Sequence, residues 1–374
     1  MPTIGTIFDV YLNINILLLV TIGVWAITRL AMQGMGMSFA YGLKLRLIKS
    51  LVLTCFIAPV LVVLYDVYVR QNGVATSYSL SISDLIVSQY LQGSFDMKAA
   101  DLEVFLALRT RLTEDVLAAD SMFALALLTA LATGLTVGAI RLAVSMVKLA
   151  NILSKCFEWR QFGSLHLLLS DSVTTPFSTR GLIKRYVILP TSMLENGKDL
   201  QIALGHELQH IRQRDTEWEI ALEFMRPFFF WNPAFLVLKR QIERLRELSC
   251  DQQVIVRRNI SVQDYCECLL RTCETGLKKR ELFLGAMPRV AFVQLDKSPI
   301  GSNSAKFLHH RLVSLLEGEK HQRHAFTLLA FMVPVLSLVG LASILMQKPN
   351  DWSHERIMFS TVLNLDRLAE RSQR

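Results

Sequence analysis

Four stretches of the chain, approximately residues 9–28, 50–69, 121–140 and 326–346, are apolar and nearly free of charge. Each has the roughly 20 residues that a helix needs to cross a bilayer core. Between the third and fourth the pattern shortens and mixes. Leu165–Leu169 is a brief apolar run. Pro176 and Gly181 punctuate the next segment, and Tyr186–Leu189 is a β-prone run that stops at Pro190. The turn Glu195-Asn196-Gly197 precedes a segment of helical spacing from about residue 199 to Arg214, with Asp199 as cap or first-turn acid. Trp218–Leu238 is almost continuously apolar, but Glu219, Glu223, Arg226, Pro227 and Pro233 interrupt it. It therefore reads as two helices that break near Asn232-Pro233, buried against a core or resting on a membrane leaflet. Residues 80–91 and 102–112 read as two short helices between the second and third spans.

The chain has 374 residues, 52% of them hydrophobic, and a mean hydropathy of +0.35, the composition of a membrane protein. The first span lacks a preceding basic residue and a following cleavage site, so it is expected to stay in the mature protein rather than act as a signal peptide. Basic residues set the expected orientation. Arg29, Lys44, Arg46 and Lys49 lie between the first two spans without an acid, whereas residues 70–120 hold more acids than bases. Arg141, Lys148 and Lys155 follow the third span, and Lys320 and Arg323 precede the fourth. The expected order is spans one and two within 1–69, an extracytoplasmic loop at 70–120 and span three at 121–145. A cytoplasmic domain at 146–325, span four at 326–346 and an extracytoplasmic tail at 347–374 follow, so both termini lie outside.

Five of the six cysteines fall in the insert, where a reducing compartment argues against disulfides. Cys266, Cys268 and Cys273 match no common zinc spacing and sit on a helical apolar period, so they read as core. The net charge of +8 reads as basic surface beside an anionic leaflet; no nucleic-acid motif accompanies it, and no nucleic-acid contact is expected.

The insert carries the candidate chemistry. His206-Glu207-Leu208-Gln209-His210 turns two imidazoles to one face of a helix, where they can share a zinc ion while Glu207 handles protons. A catalytic zinc takes three protein ligands, and Glu247, on the later charged helix, is well placed to be the third. Asp251, one turn further on, would accept the free ring N–H of a ligating histidine. Such a zinc lowers the pKa of a bound water to about 7.

His206–His210, the Phe-Trp-Asn-Pro turn at 230–233 and Glu247-Leu-Ser-Cys-Asp251, on an insert between spans three and four, resemble the integral-membrane zinc peptidases of the beta-lactam sensor-transducer type. The stretch Thr175–Pro190 resembles that family's strand before the zinc helix, although Tyr186 stands where a proline is usual, and Arg311 resembles its late arginine. The resemblance implies a mainly α membrane protein of four transmembrane helices. A cytoplasmic α+β, gluzincin-like zinc peptidase domain would be inserted between helices 3 and 4, in a bacterial inner membrane. It implies one zinc per chain on His206, His210 and Glu247, with Glu207 as catalytic base and Asp251 behind the ligands. His309, His310, Arg311 and Tyr265 are candidates for the oxyanion donor, and Tyr186 for substrate contact, with Tyr186–Leu189 either an edge strand that a peptide could extend or an internal strand of a small sheet. No Ser-x-x-Lys motif follows the fourth span, so beta-lactam sensing through a fused penicillin-binding domain is not expected. Input would instead come from a membrane partner, a second copy of the chain or the lipid itself.

The expected function is cleavage of a cytoplasmic regulator by a membrane zinc endopeptidase. The alternatives are a receptor or scaffold with a structural zinc, and a quality-control or maturation peptidase. The charge asymmetry predicts that a reporter fused after Arg323 reads cytoplasmic, and reporters at Gly93 or Arg374 read external. External labelling of a cysteine introduced at position 195 in intact cells would overturn this orientation.

Overall fold

The computed structural model describes residues 4–71, 82–94, 98–119, 121–181, 183–278, 290–291, 302–317, 325–346 and 354–372. Lys320, Arg323 and the Lys279-Arg280 pair lie outside them. Helices dominate: α1 (Ile4–Gly34), α2 (Tyr41–Gln71), α3 (Ile82–Leu91), α4 (Ala99–Ala118) and α5 (Met122–Ser154) precede a mixed region, and α11 (Ala325–Leu345) and α12 (His354–Ser372) follow it. Among the described residues, four helices are long and apolar enough to cross a membrane, over Gly5–Gly34, Tyr41–Tyr65, Met122–Ser154 and Thr327–Leu345. These helices outrun the apolar stretches because helical hydrogen bonding continues past the last apolar residue. Lys44, Arg46 and Lys49 accordingly lie in the first turns of α2 rather than in a loop, with Lys44 Nζ donating to Ser38 O at 2.6 Å.

The mixed region contains β1 (Phe157–Phe162), β2 (Leu165–Ser170), β3 (Phe177–Arg180), β4 (Arg185–Pro190), a 3-10 turn at Thr191–Glu195, α6 (Gly197–Arg212), α7 (Asp215–Met225), α8 (Pro233–Arg258), α9 (Val262–Lys278), β5 (Val290–Ala291) and α10 (Ser302–Glu317). The chain divides into two compact units. One is Met1–Ala31, Leu47–Ala132 and Ala325–Arg374; the other is Met32–Arg46 and Thr133–His324. In the first, α3, α4 and α12 share a cluster of Val87, Ala99, Leu102, Phe359 and Leu363, so the tail forms a docked helix. Arg109 donates to Asn13 Oδ1 at 2.8 Å and to Met346 O at 3.1 Å, within the same unit.

The second unit is built on one sheet of order β1-β2-β4-β3-β5, with β2 and β4 parallel and the other pairs antiparallel. Strand periodicity sends alternate residues to opposite faces. Leu167, Val187 and Leu189 pack with Ile211, Leu200 and Leu204 of α6, and Leu168, Ile188 and Phe177 pack with Leu149 and its neighbours near the end of α5. β4 is therefore an interior strand, hydrogen-bonded on both sides. Of the two alternatives the sequence left open for Tyr186–Leu189, the structure takes the internal strand, so Tyr186 is closed to strand addition; an interior position depends on long-range pairing that a local pattern does not encode.

Helix breaks are set by capping. Asn196 accepts from the Lys198 and Asp199 amides, so α6 starts at Gly197, and Asp199 serves as first-turn acid, clamped by Arg271 at 2.7 and 2.9 Å. Asn232 accepts from Ala234 N at 2.9 Å with Pro233 at the first helical position, which starts α8. The turn between α7 and α8 presses on α5: a Cβ at Gly134 would stand 2.0 Å from Phe230 Cζ, and one at Gly138 would stand 3.0 Å from Pro227. The acids that interrupt the apolar run face basic residues of α8. Lys239 pairs with Glu219 at 3.3 Å, with Glu223 at 3.0 Å and with Glu243, and Arg246 pairs with Glu219 at 2.6 Å.

Removing one member of a buried ionic cluster strands the others, at a cost of about 3–5 kcal/mol. Lys239→Met should therefore lower the thermal unfolding midpoint of the detergent-solubilised chain, and adding Glu219→Gln should recover part of the loss. A Lys239→Met midpoint equal to that of the native chain would mean that water screens the cluster.

Candidate metal centre

The two histidines of α6 lie one turn apart and are fully buried. Their Nε2 atoms face each other at 2.9 Å. Each outer nitrogen is tied to an acid. His210 Nδ1 lies 2.9 Å from Asp215 Oδ2, and His206 Nδ1 lies 2.8 Å from the Tyr265 hydroxyl, which donates to Asp251 Oδ1 at 2.6 Å. An acid-bound Nδ1 carries the proton, which leaves the Nε2 lone pair free. Both lone pairs therefore point into one small space.

Asp215 reaches His210 because Arg214 adopts the left-handed conformation, φ 55°, between α6 and α7, reversing the chain within three residues. The carboxylate then sits at the N-terminal end of α7, where the helix dipole favours its charge. Asp251, expected to accept directly from a histidine, is 3.4 Å from His206 Nδ1 and acts through Tyr265 instead. Arg311 grips it with two bonds, Nε to Oδ2 at 2.7 Å and Nη2 to Oδ1 at 2.6 Å.

Glu247 enters from α8. Its Oε2 is 3.6 Å from His206 Nε2 and 3.8 Å from His210 Nε2, is fully buried, and has no hydrogen-bond partner among the described residues. Burial opposes its charge, but His210, His206, Arg311 and Arg246 outweigh burial and hold the carboxyl well below the usual range. Burial, with the His210 charge adding to it, lowers His206 to about 4, so this ring is neutral at physiological pH. Burial disfavours a charge on His210 too, yet Glu247, Asp215 and Glu207 together raise its pKa. Two facing ring nitrogens and a buried carboxylate oxygen without a hydrogen bond, 3.7 Å from Arg311 Nη1, form a donor set for a divalent cation, and the residues fit zinc.

Cys250 lies close as well, and ligand atoms of His206, His210 and Cys250 all fall within 4.8 Å of one another. Its Sγ, however, is on the Nδ1 side of His206, at 3.6 Å, and 3.4 Å from His206 O. Burial and neighbouring carboxylates push its thiol well above the ordinary range, and because Glu247 Oε2 rather than Cys250 Sγ lies on the Nε2 side of both rings, Glu247 is the better donor.

Glu207 interacts with His210 and Glu247 on one side and lies beside Ser178 of β3. It is fully buried, and neither carboxylate oxygen has a hydrogen-bond partner among the described residues. Burial raises its pKa to about 7, with Glu247 adding to the shift and His210, Ser178 and Arg246 opposing it. β5 pairs with β3 across Phe177 and Ser178, on the strand edge beside this carboxyl.

The family described as BlaR1 peptidase M56 matches residues 10–293. The chain belongs to this family of metallopeptidases. M56 relatives include the methicillin resistance MecR1 proteins of Staphylococcus aureus and Staphylococcus epidermidis, each 29% identical over 107 residues, and the regulatory protein BlaR1 of Bacillus licheniformis, 26% identical over 136 residues. The MecR1 matches cover 28% of this chain and 18% of the relative; the BlaR1 match covers 35% and 23%. The similarity thus spans about a fifth of those relatives' length.

Among the sequence-predicted residues, His206, Glu207, His210, Glu247, Asp251, Tyr265 and Arg311 converge. His310 does not: it lies on the exposed face of α10. Tyr265 and Arg311 are engaged with Asp251, which withdraws both from the role of oxyanion donor. Asp215 was missing from the sequence reading, as was the partnerless, buried Nη2 of Arg246. An acid five residues after the second histidine was the available signal for Asp215.

Deleting the Arg311 side chain leaves Asp251 buried beside His206 without a cation, which costs about 3–5 kcal/mol. Arg311→Ala should lower the unfolding midpoint of the metal-free chain. Arg311→Lys, which keeps the charge but loses the two-pronged geometry, should fall between it and the native chain.

Proposed function

We propose that the chain is a membrane-embedded zinc endopeptidase whose gluzincin-like unit, inserted between the third and fourth spans, faces the cytoplasm. His206 Nε2, His210 Nε2 and Glu247 Oε2 hold one zinc ion per chain, and Glu207 is the general base. The observation that carries this reading is the pair of inward-facing Nε2 atoms, each ring held from behind by a carboxylate. Zinc held there supplies Lewis acidity, polarising a peptide carbonyl and bringing the acidity of a water close to neutrality.

The chain's own residues do the rest. Asp215 and the Tyr265–Asp251–Arg311 relay keep both rings in the donor tautomer and orientation. Glu207, with a pKa near 7, accepts a proton from the attacking water and returns it to the leaving amide nitrogen; its pKa suits it to both steps at neutral pH. A substrate strand pairs with β3 at the edge now occupied by β5, not with β4, because β3 passes the Glu207 carboxyl. A structural zinc site would have no use for a buried, unligated carboxyl of this pKa, which favours the enzyme over a scaffold. The regulatory protein BlaR1 among the relatives points toward regulation, so the substrate is proposed to be a cytoplasmic regulator cut at a specific site.

Purified protein should carry about one zinc per chain. His206→Ala, His210→Ala and Glu247→Ala should each lose most of it. Asp215→Asn and Asp251→Asn should weaken zinc binding by roughly 10- to 100-fold. Glu207→Gln should retain the metal yet lose proteolysis by about two to four orders of magnitude. Comparing cytoplasmic cleavage products from cells with native and Glu207→Gln protein would identify the substrate; zinc lost equally in Glu207→Gln would show that the roles are misassigned.

A further inference from the structure

The face of α6 away from the metal centre borders a solvent-open pocket of about 540 Å³ lined by five arginines, the half-buried Arg185 and the exposed Arg212, Arg214, Arg257 and Arg258. Among the described residues, no acid lines it. Such a cluster has two ordinary explanations, ion pairing and compensation of helix dipoles. Ion pairing accounts for one member: Arg185 donates to Glu217 Oε1 at 3.1 Å, an acid it shares with Arg180. Arg212, Arg214 and Arg258 make no ion pair among the described residues. The helix ends account for somewhat more, since α6 finishes at Arg212 and α8 at Arg258, each contributing about −0.5 of an elementary charge. Five positive charges, less Glu217 and the two helix ends, leave roughly +3 on the cavity wall.

The wall is also held in position. A Cβ at Gly205 would lie 2.9 Å from Arg258 Nε and 3.2 Å from its Cζ, so the guanidinium rests on the bare backbone of α6. Arg257 Nη1 donates to Gln209 Oε1 at 2.8 Å, Gln209 Nε2 to Gln253 Oε1 at 2.8 Å, and Gln253 Nε2 to Ser249 Oγ at 3.1 Å. This chain of side-chain bonds fixes one guanidinium before any ligand arrives, which removes part of the ordering cost of binding. Planar guanidinium groups match phosphate oxygens two at a time. The volume lies within the range of small-molecule sites.

We propose that this cavity binds a small phosphate-bearing anion of two to three negative charges, a diphosphate or a bisphosphorylated compound, at a site separate from the metal centre. The inference does not depend on the peptidase reading. Its chemistry is met equally by a soluble phosphate compound and by the phosphate headgroup of an anionic lipid.

The test is calorimetric titration of inorganic pyrophosphate into the zinc-loaded full chain in phosphatidylcholine nanodiscs, at fixed ionic strength, with sulfate as comparison and metal content verified afterwards. Native protein should bind pyrophosphate at one site per chain and more tightly than sulfate. Arg212→Ala, Arg214→Ala and Arg258→Ala should each weaken it by roughly tenfold, the loss of one charge-assisted contact. Arg240→Ala, outside the cavity, should not. Because Arg258 also packs on α6, Arg212→Ala with an unchanged unfolding midpoint is the deciding variant. Repeating the titration in discs containing phosphatidic acid separates the sources. A lipid headgroup occupant lowers the pyrophosphate affinity of the native chain there, and a soluble occupant leaves it unchanged. Pyrophosphate binding that is absent, equal to that of sulfate, or equal in native and Arg212→Ala protein overturns the proposal.

Discussion

Two imidazole nitrogens 2.9 Å apart cannot both hold protons, and the architecture of the second unit follows from how that conflict is resolved. Protons are drawn to the outer nitrogens by carboxylates, and each carboxylate in turn has a favourable partner inside the protein. Asp215 has the start of α7 beside it, and Asp251 has Arg311. Five helices contribute to one donor pair: α6 supplies the rings, α7 and α8 the acids, and α9 the bridging tyrosine. α10 adds the guanidinium. Displacing any of them leaves a charge in a dry interior without its partner, and that penalty ties the helices together more firmly than their apolar contacts require.

The same reasoning explains charge within an apolar stretch. Glu219 and Glu223 sit in a run hydrophobic enough to suggest a membrane span, yet they meet Lys239 and Arg246 on α8. Arg246 also touches Glu247 Oε1 at 3.3 Å, so the cluster that fastens α7 to α8 continues into the metal centre. Packing and chemistry share one electrostatic network here. Substitutions on α7 far from the histidines would therefore be felt at Glu247, the proposed third ligand.

Much of the site was legible in the sequence because it obeys helical period. His206 and His210 on α6, and Glu247 and Asp251 on α8, are each four apart, and a regular helix puts such pairs on one face. The break at Asn232-Pro233 was legible from capping chemistry. Asp215 was not, because its approach depends on an arginine in a left-handed conformation that residue type does not announce. Tyr265 was noticed for its hydroxyl but given a different task, since only the docking of α9 shows which groups the hydroxyl meets. β1 escaped notice because every one of its residues is exposed, leaving no buried face in its pattern. The interior position of β4 is a property of strand order and has no local signature.

The left-handed residue at Arg214 has a further consequence, for the order in which the centre can assemble. His210 and its acid are five residues apart, so that half forms from a single short helical hairpin with little loop-closure entropy. His206 and Glu247 are completed by groups 41 to 105 residues further along than His206, on α8, α9 and α10. A chain in which only α6 and α7 have formed offers a metal one properly oriented imidazole, and high-affinity chelation has to wait for closure of the later helices. Under the proposed assignment, metal capture would be a late event in folding, and the ion would act as a latch on the finished unit rather than as a nucleus for it.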